Sequence, residues 1–174
     1  MSEKLNIFLN KKILIYGLGK SGLSAFKFLK NKSDVFLFDD FQLYIRNSNE
    51  KKKLLSYKKI LNSKFDKIIL SPGIDINKCK LSKFLKKNHN KIYSDLDVFY
   101  EFYKNDSITI TGTNGKSTTS QLLYEVLLKQ KFKVKLVGNI GNPILSVRDV
   151  KKKTIFVIEA SSYQLEYSKI FRSR

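Results

Sequence analysis

The sequence predicts an α/β protein whose strands form parallel sheets covered by helices. Short apolar runs alternate along the chain with segments in which apolar residues recur every three or four positions, the spacing of one helix face. Two glycine-rich turns, Gly17–Gly22 and Gly112–Ser117, each follow an apolar run and precede a helical pattern. This order of strand, glycine turn and helix is typical of nucleotide-binding α/β domains.

The first half of the chain contains the elements of one sheet. Lys12–Tyr16 is a continuous apolar run of the kind found in buried parallel strands. Leu23, Phe26 and Leu29 then share one face of a predicted helix. The other predicted strands are Val35–Phe38, Lys67–Leu70 and, at the edge, Lys91–Tyr93. We therefore predict a Rossmann-like domain over residues 1–93.

The second half, residues 94–174, predicts an α/β domain of the P-loop type. Asp95–Phe102 is predicted to be helical because its acids would lie in a first helical turn. The strand Ser107–Thr111 leads into the second glycine turn, and Lys116–Lys129 has helical spacing. Two more strands are predicted at Lys133–Val137 and Thr154–Ile158.

The second glycine turn has the chemistry of a phosphate-binding loop. Its glycines let backbone N–H groups approach phosphates, and the following helix adds the positive end of its dipole. Lys116 would neutralise the outer phosphates of a nucleoside triphosphate, and the Ser117 hydroxyl would bind Mg²⁺. The standard spacing G-x-x-x-x-G-K-[ST] fails here, because position 110 is Ile110 rather than glycine.

The first glycine turn, Gly17–Gly22, predicts a site for a diphosphate. Asp39 and Asp40 lie at the end of the next strand, where an acid binds a ribose hydroxyl in dinucleotide-binding proteins. The turn could serve NAD, FAD or any nucleoside linked through a diphosphate. It could also be a tight turn that only packs a helix against a strand.

Polar residues elsewhere are candidates for the same two sites. Glu159 follows a predicted strand, which places a carboxylate at the sheet edge where phosphate-bound metal would lie. An ordinary exposed acid after a strand is the alternative. Asn139 lies in a glycine-rich segment that is a turn by composition.

Composition narrows the classes of partner. The 174 residues, 42% of them hydrophobic, can bury a core, and no apolar run approaches the roughly 20 residues needed to cross a bilayer. The first residues lack an export signal, so we expect a cytoplasmic protein without a membrane partner. A net charge of +19 suggests nucleic acid as a partner. However, only four of the 34 basic residues are arginine, the residue favoured for bidentate recognition of phosphate or guanine. We therefore expect a monomer that binds small-molecule substrates and no nucleic acid.

Segments in a fixed order along the chain resemble the Mur ligases of peptidoglycan synthesis, most closely their D-glutamate-adding branch. They are Gly17–Ser24, Ser71–Ile74, Ser94–Phe99, Ile110–Thr118, Gly138–Gly141 and Glu159–Glu166. Members of this family typically carry the short Gly-Thr-Asn-Gly-Lys loop, which accounts for the failed spacing. Asn114, Gly17–Gly22 and Ser162–Gln164 together favour this branch. The alanine-adding relatives usually have histidine at the position of Asn114, and the diaminopimelate- or lysine-adding relatives lack the first glycine fingerprint.

The resemblance implies an ATP-dependent ligase that joins D-glutamate to UDP-N-acetylmuramoyl-L-alanine through an acyl phosphate. ATP would be bound by Gly112, Thr113, Asn114, Gly115, Lys116, Ser117 and Thr118. Lys116 and Glu159 would be catalytic, and Ser117 and Glu159 would hold Mg²⁺. The UDP-linked substrate would contact Leu18, Gly19, Lys20, Ser21, Asp39, Asp40, Ser71 and Gly73, with Asn139 and Gln164 at its muramoyl-alanine end.

The resemblance also has departures. Phe41 stands where the family often has an arginine near the uracil, so packing is expected to replace that contact. Family members continue with more of the ATPase sheet, a magnesium-binding histidine, a carbamylated lysine and a C-terminal domain. The resemblance therefore implies that residues 94–174 are the first, incomplete part of the central ATP-binding domain. We expect that Arg174 is not a natural domain end and that the chain alone does not ligate. A nicotinamide-dependent oxidoreductase using Gly17–Gly22 and a basic nucleic-acid-binding protein are the alternatives.

Overall fold

The computed structural model describes residues 6–41 and 48–173. The strands are β1 (Lys12–Tyr16), β2 (Asp34–Phe38), β3 (Lys67–Leu70), β4 (Ile92–Ser94), β5 (Ser107–Ile110), β6 (Val134–Gly138) and β7 (Ile155–Glu159). The helices are α1 (Lys20–Leu29), α2 (Ser48–Lys51), α3 (Tyr57–Leu61), α4 (Ser82–Lys87), α5 (Asp95–Phe102), α6 (Lys116–Lys129) and α7 (Ser162–Tyr167). Short 3-10 turns occupy His89–Lys91 and Ile144–Ser146. The predictions on the first residues and on Arg174 lie outside the described part of the chain.

The strands form two sheets in which every pairing is parallel. The first sheet has the order β2-β1-β3-β4 and the second the order β5-β7-β6. The predicted α/β class with parallel sheets is therefore confirmed. The proposed domain boundary between residues 93 and 94 stays a prediction. Because parallel strands end at the same edge of a sheet, the turns after β1 and β3 lie together, as do those after β5, β6 and β7.

Several predicted elements agree with the structure residue for residue, and others are displaced by one. The predicted strand at Lys91–Tyr93 is observed one residue later, as β4, because Lys91 belongs to the preceding 3-10 turn. The strands β6 and β7 each begin and end one residue later than predicted. Their pairing continues through Gly138 and Glu159, and apolar patterning does not report backbone pairing of a polar residue.

Helix α5 joins the cores of the two sheets. The Phe99 ring lies edge-on to Phe156 of β7, with the ring centroids 4.8 Å apart. One buried hydrophobic cluster includes Ile13 of β1, Phe26 of α1 and Phe156. The two glycine turns are thus supported by a shared core. Close packing of this core resists changes of shape at the base of each turn.

Helix α6 has the predicted bounds but is thinly covered. Ser120 is its buried residue, while Leu122 is 62% exposed and Val126 and Leu128 are also exposed. The described part of the second sheet has three strands, with β5 at its edge, so it gives this helix little surface to pack on. The predicted apolar spacing therefore identifies the helix without implying that its apolar face is buried.

Gly22 is expected to be the glycine least tolerant of substitution in the first turn. A Cβ atom at Gly22 would lie 1.8 Å from the carbonyl oxygen of Gly17 and 2.7 Å from Oγ of Ser71. Gly22→Ala should therefore lower the free energy of unfolding by about 3 kcal/mol, at the upper end of overpacking effects. At Gly19 a Cβ would meet nothing within 4 Å, so Gly19→Ala is the matched control. Urea denaturation measures both, and equal stability of the two variants would contradict the prediction.

Candidate nucleotide and substrate site

A cavity of about 470 Å³ opens at the carboxyl edge of the first sheet. Its walls come from the turn after β1, the segments after β2 and β3, and the turn after β6. The lining residues are Gly17, Leu18, Gly19, Lys20, Ser21, Asp39, Phe41, Ser71, Pro72, Gly73, Ile74, Gly138, Asn139, Gly141 and Pro143. The structure thus brings together the residues predicted to contact the UDP-linked substrate, except Asp40 and Gln164.

Asp39 and Ser71 fix the shape of the first glycine turn. The Asp39 carboxylate accepts hydrogen bonds from the backbone N–H of Leu18 at 2.8 Å and of Phe41 at 2.9 Å. The Ser71 hydroxyl donates to the carbonyl oxygen of Gly17 at 2.6 Å. Both side chains therefore hold the backbone against which a diphosphate would lie, and Asp39 connects that turn to the end of β2.

Asp40 points to a different set of partners. Its carboxylate accepts a hydrogen bond from the Tyr16 hydroxyl at 2.6 Å and another from the backbone N–H of Lys80 at 3.3 Å. Burial, together with the bond to Asp40, raises the pKa of the Tyr16 phenol well above its ordinary value. Asp40 is not among the residues that line the cavity, so its predicted role as a substrate contact stays a prediction.

The second glycine turn forms an exposed loop at the start of α6. Gly115 is the residue before the helix and has a φ of +77°, a conformation that glycine adopts without steric cost. The Lys116 ammonium group donates to the carbonyl oxygens of Gly112 at 2.6 Å and Thr113 at 3.1 Å. Lys116 therefore lies over the loop, next to the backbone N–H groups at the helix N-terminus.

Glu159 lies beside the phosphate loop and is buried. It is the last residue of β7 and pairs with Ile110 on one side and Gly138 on the other. Ile110 is the last residue of β5, the strand that leads into the loop, so the carboxylate and the loop share one sheet edge. Glu159 is 4% exposed, and its Oε2 atom has no hydrogen-bond partner among the described residues. A buried carboxylate oxygen without a donor is costly, and a cation at the loop would satisfy it.

The cavity and the phosphate loop meet at one backbone junction. The N–H of Asn139, which lines the cavity, donates to the carbonyl oxygen of Glu159 at 3.0 Å. The N–H of Ala160 donates to the carbonyl oxygen of Ile110 at 3.0 Å. The ends of all three strands of the second sheet are therefore joined where a ligand in the cavity would approach one on the loop.

Gln164 is buried away from the cavity surface. Its amide oxygen accepts from the backbone N–H of Ser161, and its amide nitrogen donates to Asp95. Burial raises the pKa of Asp95, an effect opposed by the hydrogen bond from Gln164 and by the nearby Ser21 side chain. The predicted contact of Gln164 with substrate therefore stays a prediction, and the structure assigns its side chain first to this buried network.

The oxygen ligands at the phosphate loop suit magnesium only when the phosphates of a nucleotide supply further ligands. No group of three or more His, Cys, Asp or Glu residues that could hold a metal occurs in the described ranges. Mg²⁺ is usually held by one or two protein oxygens together with phosphates and water. Glu159, with its unpaired oxygen, and Ser117 at the first turn of α6 fit that pattern.

Sequence reasoning missed several residues of this site. Pro72, Ile74 and Pro143 line the cavity, and they carry no chemical signal that distinguishes them from ordinary turn or core residues. The sequence pattern predicts Asp95 only as a residue of a first helical turn, yet its buried side chain accepts a hydrogen bond from Gln164. The segment Ser94–Phe99 does contain a signal for Asp95: an acid in the first turn of a helix can also accept hydrogen bonds from a neighbouring element.

Comparisons with known proteins agree with this geometry. Residues 110–172 match the model of the Mur ligase middle domain. The UDP-N-acetylmuramoylalanine–D-glutamate ligase of Rickettsia felis is 36% identical over 98% of this chain. The proteins of the same name from Caldicellulosiruptor bescii and Aquifex aeolicus are 37% and 36% identical over 94% and 92% of it. The chain spans 38%, 38% and 36% of the length of these relatives, respectively.

Two parallel sheets, each with a glycine turn between a strand and a helix, define an α/β protein whose second sheet is P-loop-like. The chain belongs to the Mur ligase family. Within residues 6–41 and 48–173, the structure contains no helix with the length and apolar character needed to cross a membrane.

Proposed function

We propose that this chain supplies the UDP-substrate cavity and the phosphate loop of a ligase that uses ATP to join D-glutamate to UDP-N-acetylmuramoyl-L-alanine. The observation that carries the proposal is the junction of Asn139 and Glu159, whose backbone hydrogen bond measures 3.0 Å. It puts the end of the substrate cavity next to the loop proposed to hold ATP. The likeness to relatives bearing the ligase name over nearly the whole chain supports the same assignment.

The proposed reaction forms an acyl phosphate and then an amide. An alanyl carboxylate oxygen bonds to the γ-phosphorus of ATP while the bond from that phosphorus to ADP breaks. The amine of D-glutamate then bonds to the acyl carbon, phosphate leaves with the electron pair of the broken C–O bond, and the amine loses a proton. Phosphorylation is required because a carboxylate oxygen is a poor leaving group.

The phosphate loop positions ATP and offsets its charge. Backbone N–H groups at the start of α6 face the phosphates, and the helix dipole favours an anion there. The Lys116 ammonium group neutralises charge that builds on the transferred phosphoryl group. Ser117 and Glu159 would hold magnesium, which stabilises the same charge as a Lewis acid when bound.

The cavity holds the UDP part of the acceptor. Lys20 and Ser21 lie in the first turn of α1, where a pyrophosphate is favoured by the helix N-terminus. Phe41 lines the cavity and is 73% exposed, so its ring offers a face on which uracil packs. Asn139 also lines the cavity and bonds to Glu159, beside the phosphate loop, so the alanyl carboxylate would arrive there.

Calorimetric titration of this chain tests the proposal. We expect saturable binding of UDP-N-acetylmuramoyl-L-alanine in competition with UDP, and no ligation by the chain alone. Absence of UDP-substrate binding would contradict the proposal. Saturable NADH binding that UDP-sugar does not affect would favour an oxidoreductase. Binding of DNA that falls steeply with salt and survives Lys116→Ala would favour a nucleic-acid-binding protein.

Glu159→Gln is expected to remove most of the magnesium dependence of nucleotide binding. The amide is nearly isosteric with the carboxylate, but it lacks the charge that makes a carboxylate a strong Mg²⁺ ligand. We expect the gain in ATP affinity on adding Mg²⁺ to fall about tenfold, the equivalent of one charge-assisted interaction. The exposed acid Glu166 provides the control variant Glu166→Gln. An unchanged magnesium effect in Glu159→Gln would remove Glu159 from the metal site.

A further inference from the structure

Gln164 is fixed in one orientation by its neighbours. It is 1% exposed, and its Oε1 atom accepts from the backbone N–H of Ser161 at 3.0 Å. Its Nε2 atom donates to Oδ1 of Asp95 at 2.9 Å. A flipped amide would place N–H against N–H at Ser161 and oxygen against oxygen at Asp95, so a single orientation satisfies both contacts.

Asp95 begins a helix, α5, that packs against both α7, which carries Gln164, and α1, which carries Ser21. It is the first residue of α5 and 2% exposed, and it accepts from Gln164 of α7. The Ser21 side chain, in the first turn of α1, lies beside it and favours its charged form. Its Oδ2 atom has no hydrogen-bond partner within the described part of the chain. A buried carboxylate oxygen without a donor lowers the stability of the fold. An apolar or amide side chain at position 95 would avoid this cost.

We propose that Asp95 is a positioning residue of the substrate site, which holds the Gln164 amide in a single orientation. Gln164 is connected to Glu159 through the short segment between β7 and α7, and Ser21 lines the UDP cavity. Asp95 therefore anchors α7, the helix that follows the strand carrying the proposed metal ligand. This inference rests on the proposed function and on the prediction that Gln164 lies at the muramoyl-alanine end of the UDP-linked substrate.

A donor–acceptor exchange tests the positioning role. In Asp95→Asn, the oxygen that accepts from Gln164 loses its charge; in Gln164→Glu, two carboxylates face each other. We expect each single variant to bind UDP-N-acetylmuramoyl-L-alanine about tenfold more weakly, which corresponds to one charge-assisted hydrogen bond. The double variant restores a donor facing an acceptor and should return to within about threefold of the wild-type affinity.

UDP alone separates positioning from general loss of structure. UDP lacks the muramoyl-alanine end, so its affinity should fall less than that of the whole substrate in both single variants. All titrations are made well below the melting temperature of each variant. Asp34→Asn, at the exposed amino end of β2, is the control and should leave both affinities unchanged. Equal losses for UDP and for the whole substrate, or no rescue in the double variant, would overturn the proposal.

A second readout keeps this inference separate from the proposed function. If the wild-type chain binds no UDP-substrate, the proposed function fails, and nuclear magnetic resonance then tests the positioning alone. We expect the side-chain amide protons of Gln164 to exchange slowly with solvent in the wild-type protein and rapidly in Asp95→Ala. Rapid exchange of these protons in the wild-type protein would show that Asp95 does not hold Gln164.

Discussion

Replacing Asp97 with alanine is expected to lower the free energy of unfolding by about 3–5 kcal/mol, the cost of leaving several buried donors without an acceptor. Its Oδ1 atom accepts from the backbone N–H groups of Lys169, Ile170 and Phe171 at 2.9, 2.8 and 3.0 Å. Its Oδ2 atom accepts from the backbone N–H of Ser94 at 2.9 Å. The side chain is fully buried, so water cannot replace these bonds without local opening.

Asp97 therefore attaches the segment that follows α7 to the start of α5. The bond to Ser94 closes a capping box at the N-terminus of α5, an arrangement that favours helix initiation. The bonds to residues 169–171 connect positions more than 70 apart in sequence. Their loss should release the segment after α7 in addition to weakening the helix start.

Two further variants make the expected result specific. Asp97→Asn keeps one carbonyl oxygen and should lose about half as much stability as Asp97→Ala, because one set of donors keeps its acceptor. Asp66 is exposed and accepts from the backbone N–H of Lys12 at 2.8 Å, so Asp66→Ala should cost less than about 1 kcal/mol. Urea denaturation gives these values, and hydrogen exchange at residues 169–171 locates the change. A loss below about 1 kcal/mol in Asp97→Ala would show that these bonds are replaceable.

The sequence located elements well because apolar periodicity and backbone conformation are local properties. Lys12–Tyr16 and Lys116–Lys129 agree with β1 and α6 residue for residue. The glycine turns were also found, since a turn between a strand and a helix has a local signature. The displaced bounds of β6 and β7 arise from pairing with neighbouring strands, which a single segment does not encode.

Side-chain partners were less predictable, because they depend on contacts between distant segments. Asp39 and Asp40 are adjacent and chemically identical, yet Asp39 holds the first glycine turn and Asp40 bonds to Tyr16. Alternation along the chain turns them in different directions, and only the fold identifies which one faces the cavity. Glu159 was placed correctly at a sheet edge, but its burial follows from the strands on either side of it.

Lys116→Ala is expected to weaken ATP binding about 100-fold, since it removes a cation that makes charge-assisted bonds to phosphate. Stability should change by less than about 1 kcal/mol, because the bonds of Lys116 to Gly112 and Thr113 lie on an exposed loop. Affinity for UDP-N-acetylmuramoyl-L-alanine should remain within about twofold of wild type, since Lys116 does not line the cavity.

Ligand-observed nuclear magnetic resonance measures this effect even where ATP binding is weak. Lys129→Ala is the matched control, because Lys129 is an exposed lysine at the other end of the same helix and carries the same charge. If both variants lose affinity equally, the general positive field of the chain attracts ATP and the loop has no specific role. If Lys116→Ala alone loses affinity while UDP-substrate binding persists, the two glycine turns serve different ligands. That separation is required of a ligase that must bind a nucleotide and its acceptor together before either reacts.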